Sequence, residues 1–321
     1  MKLLFKIFLF CIALSIGQYA IFKITHQEIP EITTLNSILN HPDSIIEFSD
    51  SVAHNTSSED TDKRTISEMI SSIQPDLHTD LLWHSSYSLV VFDSYMTYIA
   101  RSDTKPRAII IPINLDDVSP LNEKYPGQLF ERLNFILSTH IPFASVLVQP
   151  LAVFKFIDLN TISAQTWLNQ KIYNWNEPFS TVKDCYDIPQ RSDYSTQSIR
   201  ALYICEYMTK ASMENNNMKA LSHLVNTAKN AHIPLLVVVT PVDIEAGVHF
   251  VGQSFGDNIA SNANFACSIA TSQGIPCLNI ASSSPDSSFD THFTYPTPHM
   301  NEYGRLQTAK LIAHALSKLL N

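Results

Sequence analysis

Two short stretches near opposite ends of the chain carry the residue types needed for acyl transfer. The first is Phe48-Ser49-Asp50-Ser51, which ends an apolar run and offers the hydroxyl of Ser51. The second, Pro298–Gly304, contains His299 and directly precedes a C-terminal amphipathic segment. A serine hydroxyl becomes an effective nucleophile when a histidine accepts its proton, because the unperturbed pKa of imidazole lies near neutral pH. The two stretches therefore predict a Ser–His pair, provided that the fold brings them together.

The elements around Ser51 are predicted to form a strand, a turn and a helix. Residues 45–48 are a short apolar run, and Thr65 with Glu68 could form a capping box for the following helix. Apolar residues recur at helical spacing behind that box, namely Ile66, Met69, Ile70 and Ile73. Ser51 then lies at the carboxyl end of a strand, where open α/β sheets place their chemistry. The alternative is that Ser49-Asp50-Ser51 is an ordinary polar turn.

The rest of the chain alternates between short apolar runs and segments with helical spacing. Strands are predicted at about 45–48, 80–83, 108–113, 235–240 and 277–280. Helices are predicted at about 64–74, 89–100, 128–139, 196–231, 258–272 and 301–319. Such alternation is typical of a parallel sheet covered by helices on both faces. The predicted fold class is therefore α/β.

The two end stretches together resemble the SGNH/GDSL hydrolase family of esterases and acyl-transfer enzymes. Phe48-Ser49-Asp50-Ser51 is similar to the first block of that family, whose serine is the nucleophile. His299-Met300-Asn301-Glu302-Tyr303-Gly304 is similar to its last block, whose histidine is the base. Ile111-Pro112-Ile113-Asn114 is placed like the third block, whose asparagine helps to bind the oxyanion. The resemblance runs over about residues 44–321 and implies a three-layer, flavodoxin-like fold.

The resemblance also implies a set of oxyanion donors. They are the backbone N–H of Ser51, the side-chain amide of Asn114 and a third N–H from a loop after the second strand. The family usually has glycine at that third position, and Ser85 or Ser86 occupies it here; we assign the donor to Ser86. The alternative for Asn114 is an ordinary turn residue at the end of a strand. This chemistry requires no metal and no cofactor, and we expect neither.

Three departures from the family pattern leave the activity open. Ser49 stands in place of a glycine, and the loop glycine of the second block is absent. The acid that usually lies three residues before the histidine is replaced by Pro296. Asp290 could orient the imidazole by another loop path, or a backbone carbonyl could do so in a Ser–His dyad. A catalytically inactive member of the family is a further alternative.

The N-terminus is predicted to be a membrane anchor covering residues 1–23. Leu3–Phe22 is mostly apolar, with Lys6 near its start, and is flanked by Lys2 and Lys23. Twenty residues suffice to cross a bilayer, and the early lysines favour an N-terminus that stays inside. We therefore expect a single-pass protein of the bacterial inner membrane, with its globular domain on the periplasmic side. A cleavable signal peptide, ending after Ser15 or Ala20, is the alternative.

Charge and composition restrict the partners of the exported part. Without the three lysines of the anchor, 18 Lys+Arg face 30 Asp+Glu, a net charge of −12. Such an acidic domain is a poor ligand for nucleic acid, and we expect no nucleic-acid partner.

Residues 24–43 are interpreted as a linker. Residues 151–200, rich in aromatic and amide side chains, are interpreted as an insertion.

Four cysteines lie outside the predicted anchor. Cys185, Cys205, Cys267 and Cys277 are an even number, which an oxidising compartment would allow to form two disulfides. Proximity in sequence favours Cys185–Cys205 and Cys267–Cys277, one of three pairings. Buried free thiols are the alternative, and the spacing of Cys and His does not predict a zinc site.

Two functional hypotheses from different classes follow. The first is an anchored esterase or acyltransferase acting on an acyl ester, for example an O-acyl group of an envelope glycan. The second is a catalytically inactive, membrane-tethered accessory protein that binds a glycan or a protein partner.

Overall fold

The fold is built on one five-stranded parallel sheet. The structure, a computed structural model, describes residues 2–25, 30–41, 43–119, 122, 130–139, 196–290 and 298–321. The strands are β1 (Ile45–Ser49), β2 (Thr79–Trp83), β3 (Ala108–Ile113), β4 (Leu235–Val239) and β5 (Cys277–Asn279). Their order in the sheet is β2-β1-β3-β4-β5, and all the neighbouring pairs are parallel. This is the doubly wound, flavodoxin-like order, so the predicted α/β class is confirmed.

Helices connect successive strands. Those of the described part are α1 (Lys2–Thr25), α2 (Pro30–Leu39), α3 (Ser51–His54), α4 (Ile66–Ile73), α5 (Leu89–Arg101), α6 (Glu131–Thr139), α7 (Thr196–Tyr207), α8 (Asn216–Asn230), α9 (Ile244–Val251), α10 (Ser254–Thr271) and α11 (Glu302–Leu320). Short 3₁₀ turns lie at Leu115–Val118 and Asp286–Ser288. The predicted helices at 64–74, 89–100, 258–272 and 301–319 thus correspond to α4, α5, α10 and α11.

Each face of the sheet has its own hydrophobic core. Ile45, Ile110 and Val238 pack with α3, α4 and α11 on one face. Alternate residues of the same strands, such as Ile46 and Val237, pack on the other face with α2, α5, α6, α7, α8, α9 and α10. Side chains of a strand point alternately to opposite faces, so these continuous apolar strands fill both cores.

The start of α4 shows how local sequence defines an element. Thr65 Oγ1 accepts a hydrogen bond from the backbone N–H of Glu68, and the Glu68 carboxylate accepts one from the N–H of Thr65. This is the predicted capping box, which satisfies two backbone donors at the helix start. Met69 and Ile70 are then fully buried against the sheet. The capping box therefore sets the end of the long loop that follows α3.

The segment 24–43 differs from the predicted linker. It contains α2, whose Ile32, Leu35, Ile38 and Leu39 are buried in the larger core. Pro30 is the first residue of this helix, a position where a missing N–H costs nothing because that donor has no intrahelical partner. The apolar spacing of three and four residues is that of one helix face. The globular domain therefore begins before residue 44.

The predicted anchor is helical over Lys2–Thr25. Large apolar side chains of α1 are exposed, including Leu4 at 72% and Phe10 at 67%. Within the described residues, no helix has both the length and the apolar character that crossing a membrane requires.

Two predictions concern segments that the structure covers only in part. Of the predicted insertion at 151–200, residues 151–195 lie outside the described residues, and α7 begins at Thr196. The predicted Cys267–Cys277 disulfide is present, with Cα atoms 5.4 Å apart, and it joins α10 to β5. Cys205 is also disulfide-bonded, but Cys185 lies outside the described residues. The Cys185–Cys205 pairing therefore stays a prediction.

A buried carboxyl group in β1 makes stability depend on pH. Glu47 is 2% exposed and accepts a hydrogen bond from Ser67 of α4. Burial, partly offset by that hydrogen bond, raises the pKa of Glu47 from 4.5 to about 7. The folded state then binds a proton more tightly than the unfolded chain, so stability falls as pH rises from about 4.5 to 7.

We expect Glu47→Gln to stabilise the protein above pH 7. Gln resembles the neutral acid and can still accept from Ser67, so the variant avoids the penalty of a buried charge. The gain in unfolding free energy at pH 8 should be roughly 1–3 kcal/mol, since one pKa unit corresponds to about 1.4 kcal/mol. Urea unfolding at pH 5 and pH 8 measures it, with the exposed Glu59→Gln as the control. An equal effect at both pH values would contradict this explanation.

Candidate active site

The predicted site residues collect at the carboxyl edge of the sheet. Ser51 follows β1, Ser86 follows β2 and Asn114 follows β3. The connections from β1 and β3 leave in opposite directions, to β2 on one side and to β4 on the other. Ligands of open α/β sheets bind at this kind of switch point, where neighbouring strand ends leave a crevice. The sheet therefore places Ser51 and Asn114 on the two sides of the expected crevice.

The structure brings Ser51 and His299 together although 248 residues separate them. Ser51 Oγ lies 3.0 Å from His299 Nε2, within hydrogen-bonding distance. Ser51 is the first residue of the four-residue helix α3, and Asp50 caps that helix by accepting from the N–H of Val52. The two side chains thus lie at the distance that proton transfer from serine to histidine requires.

The electrostatics of His299 suit a base. Burial lowers the pKa of its imidazole below the ordinary value of 6.5, because a buried site penalises the charged form. The neutral ring, which can accept a proton, is therefore the dominant form at pH 7. The geometry and the charge state both allow His299 to activate Ser51.

Two residues after His299, Asn301 and Gly304, hold the loop that joins His299 to α11. Asn301 caps α11 by accepting from the N–H groups of Tyr303 and Gly304, and its own amide donates to Ser287 O. A Cβ on Gly304 would lie 2.5 Å from Ser288 O, so only glycine fits this close approach. The asparagine and the glycine therefore fix the loop that carries His299.

A buried ion pair connects the segment that follows His299 to the loop that follows Ser51 and α3. Arg305 is fully buried, and its Nη1 donates to Asp60 Oδ2 at 2.7 Å and to Met300 O at 2.9 Å. Its other nitrogens donate to the carbonyls of Asp62 and Arg64. Although burial alone would raise the pKa of Asp60, hydrogen bonds from Arg305 and two backbone N–H groups hold it below 3.8.

Glu302 strengthens the same connection. Its carboxylate accepts from the N–H and hydroxyl of Thr61 and from the N–H of Asp62, at 2.7–3.1 Å. Its own N–H donates to Asp60 Oδ1 at 3.0 Å. We call Asp60, Glu302 and Arg305 the clamp, because they join the segment after Ser51 to the segment after His299.

Asn114 is buried and held by two side chains. Its Nδ2 donates to Asp50 Oδ2 at 2.9 Å, and its Oδ1 accepts from Thr240 Oγ1 at 2.6 Å. An amide nitrogen carries two hydrogens, and the contact with Asp50 uses one of them. The structure therefore places Asn114 beside Asp50, the residue next to Ser51.

Two buried carboxyl groups near Ser51, those of Asp50 and Asp117, have raised pKa values. Burial raises the pKa of Asp50 from 3.8 to about 6, although hydrogen bonds from Val52 and Asn114 oppose the shift. Burial, together with the charges of Asp116 and Asp50, raises the pKa of Asp117 well above 3.8. The ionised form of Asp50 therefore predominates at pH 7, and Asp117 retains its proton more readily than an exposed aspartate does.

Ser86 adopts a backbone conformation that normally requires glycine. Its φ is 67°, in the left-handed region, and it follows the end of β2 as predicted. Non-glycine residues adopt this conformation at a cost. The loop therefore has a left-handed turn at the predicted third donor, without the glycine of the family pattern.

We expect Ser86→Gly to keep ester hydrolysis and Ser86→Val to lose most of it. Glycine adopts positive φ without strain, whereas a β-branched residue at φ 67° must change the turn and move the N–H. The Val variant should lose roughly tenfold or more, because one misplaced oxyanion donor costs up to about 10²–10³ in kcat. Rates with p-nitrophenyl acetate measure this. Ser85→Val, at the exposed neighbour, is the control and should stay near wild type.

The structure does not join the carboxylate of Asp290 to the imidazole of His299. The backbone N–H of Asp290 donates to His299 O at 3.2 Å, and the adjacent Phe289 and Met300 form an antiparallel bridge. Asp290 Oδ1 is buried and has no hydrogen-bond partner among the residues that the structure describes. Burial first, and then the charge of Asp60, raise the pKa of Asp290. Pro296, at the position of the family's usual acid, lies outside the described residues.

Sequence reasoning missed two contributors to the site, Thr240 and the clamp. Thr240 directly follows the clearest strand of the chain, so its position at the carboxyl edge was a usable signal. The clamp residues Asp60 and Arg305 gave no such signal. His54, the last residue of α3, stacks on Trp83 with ring centroids 3.4 Å apart.

Comparisons with known proteins give only distant structural similarities. No protein-family model and no curated protein matches the chain. Among solved structures, it is similar to an acetylxylan esterase from Geobacillus stearothermophilus, with 8% identity, a TM-score of 0.38, and coverage of 87% of this chain and 94% of that one. It is also similar to an alpha/beta hydrolase from the metagenome of Lake Arreo, Spain, with 9% identity, a TM-score of 0.37 and the same coverage. Both TM-scores are below 0.5, so neither similarity bears on the function of this chain.

Proposed function

We propose that the protein is an SGNH-type serine esterase or acyltransferase acting on an acyl ester. The observation that carries this proposal is the 3.0 Å contact between Ser51 Oγ and His299 Nε2 at the carboxyl edge of the sheet. Packing of an α/β domain does not by itself require residues from opposite ends of the chain to meet there. The motif pattern around both residues supports the assignment to the SGNH/GDSL family.

The chemistry is a two-step acyl transfer. Neutral His299 takes the proton of Ser51 Oγ as the oxygen attacks the ester carbonyl, and the imidazolium then protonates the departing alkoxide. An acyl-enzyme remains on Ser51. In the second step His299 deprotonates water or an acceptor hydroxyl, which attacks the acyl-enzyme and releases Ser51. The acceptor decides between hydrolysis and transfer, and we propose O-acyl groups of an envelope glycan as the substrate class.

Three N–H groups are proposed to stabilise the oxyanion. They are the backbone N–H groups of Ser51 and Ser86 and the second Nδ2 hydrogen of Asn114. Donors fixed in advance at the developing negative charge often supply the largest part of catalysis. The left-handed turn at Ser86 and the anchored amide of Asn114 support this assignment.

One observation favours the second function, an inactive accessory protein. The carboxylate of Asp290 makes no hydrogen bond with His299 within the described residues. Loss of the orienting acid reduces catalysis by about 10⁴-fold in a serine protease, but it leaves measurable activity. A site in which Asp290 does not orient His299 is therefore compatible with a slow esterase, and the accessory role is the alternative.

Hydrolysis of p-nitrophenyl acetate by the purified full chain tests the proposed function. We expect a rate above background that disappears in Ser51→Ala. A wild-type rate equal to that of Ser51→Ala would contradict the enzyme and favour the accessory protein.

We further propose that α1 holds the domain at the bacterial inner membrane, with the domain on the periplasmic side. The exposed apolar side chains of α1 and the early lysines support this. The full chain should sediment with the membrane fraction and keep its original N-terminus. A mature N-terminus after Ser15 or Ala20 would indicate a cleaved signal peptide instead.

A further inference from the structure

A chain of hydrogen bonds joins the ends of three strands beneath the nucleophile. Thr240 Oγ1, after β4, lies 2.6 Å from Asn114 Oδ1, after β3. Asn114 Nδ2 lies 2.9 Å from Asp50 Oδ2, after β1. Thr240 and Asn114 are 6% and 5% exposed, so little water competes for these contacts. The carboxylate of Asp50 is itself fixed by the N–H of Val52 at 2.8 Å.

The chemistry of the two neighbours determines which way the amide of Asn114 faces. An ionised carboxylate can only accept, so the nitrogen must face Asp50. A threonine hydroxyl has one hydrogen, and two carbonyl oxygens lie within its reach, Asn114 Oδ1 and Ile113 O at 3.1 Å. Ile113 O already accepts the backbone N–H of Thr240. The shorter contact therefore takes the hydroxyl hydrogen and holds the amide oxygen on the β4 side.

We propose that Thr240 is a positioning residue for the reaction, acting through Asn114. By accepting the hydrogen of Thr240, the amide oxygen stays away from Ser51, and the second Nδ2 hydrogen stays available for the oxyanion. In a flipped amide, the oxygen would face the Asp50 carboxylate and no N–H would be available on that side. The inference rests on the proposed esterase or acyltransferase function, since it assigns Thr240 a role in that same site.

The variants Thr240→Val and Thr240→Ser test this role in the full chain with p-nitrophenyl acetate. Valine has nearly the shape of threonine but cannot donate. We expect kcat to fall roughly 10- to 100-fold with KM within about twofold, because a misoriented oxyanion donor acts mainly in the transition state. Thr240→Ser keeps the hydroxyl, so its kcat should stay within about threefold of wild type. Thr79→Val, a buried threonine at the opposite end of the sheet whose hydroxyl donates to Leu77 O, is the matched control.

A double-mutant cycle separates positioning from a structural effect. If Thr240 acts through the amide, Thr240→Val should not lower kcat further in an Asn114→Ala background. Equal losses in both backgrounds, or a wild-type kcat in Thr240→Val, would overturn the inference while leaving a Ser51-dependent esterase intact. Absence of Ser51-dependent hydrolysis in the wild type would overturn the proposed function and this inference with it.

Discussion

Replacing Ser51 or His299 by alanine should reduce ester hydrolysis to near background, with a loss of roughly 10²-fold or more in kcat for each variant. The reason is the 3.0 Å contact between Ser51 Oγ and His299 Nε2, which makes the two side chains one functional unit. Without the histidine, the serine keeps its proton; without the serine, the histidine has no nucleophile to activate.

The double variant should therefore be no slower than either single variant. Residues that act as a unit show this non-additivity, whereas independent contributions would multiply. Initial rates with p-nitrophenyl acetate measure all three variants. The exposed residues Ser58 and His78 supply controls, and Ser58→Ala and His78→Ala should stay near wild type. A single variant that retains most of the rate would remove that residue from the mechanism.

Arg305→Met should be among the most destabilising single substitutions in the domain. The side chains of Arg305 and Asp60 are 0% and 4% exposed, so the variant leaves a buried carboxylate without its partner. Breaking a buried ion pair from one side typically costs about 3–5 kcal/mol. The variant should also lose activity, because the clamp connects the segments that carry Ser51 and His299.

A surface ion pair in the same loop is the matched control. Arg64 contacts Asp62 at 2.6 Å, but the Arg64 side chain is 46% exposed. Such pairs contribute about 0–1 kcal/mol, so Arg64→Met should change the urea midpoint little. Equal midpoints for Arg305→Met and Arg64→Met would show that the clamp does not stabilise the fold.

Much of the fold could be predicted because local sequence determines its elements. Strands β1, β3 and β4 are continuous apolar runs, as strands buried on both faces must be. The capping box of Thr65 and Glu68 likewise predicted the start of α4. Helix α2 was missed because residues 24–43 contain two prolines and show no strong apolar period, although proline is well tolerated at the first helical position.

Only the site residues that belong to a recognisable sequence motif could be predicted. Ser51 and His299 followed from short patterns with a chemical meaning, and the structure brings them into contact. The Asp60–Arg305 pair spans 245 residues with no local pattern to mark it. The orientation of Asn114 depends on β1, β3 and β4 being neighbours at one edge, and strand order is not readable from any single segment.

Labelling of Ser51 by a fluorophosphonate tests most directly whether His299 activates this serine. The reagent phosphonylates an activated serine and releases fluoride, and peptide mass spectrometry then identifies the modified residue. We predict modification at Ser51 in the native full chain, strong reduction in His299→Ala and none after unfolding in urea. Absence of Ser51 labelling in the native protein, or equal labelling in His299→Ala, would contradict the catalytic pair.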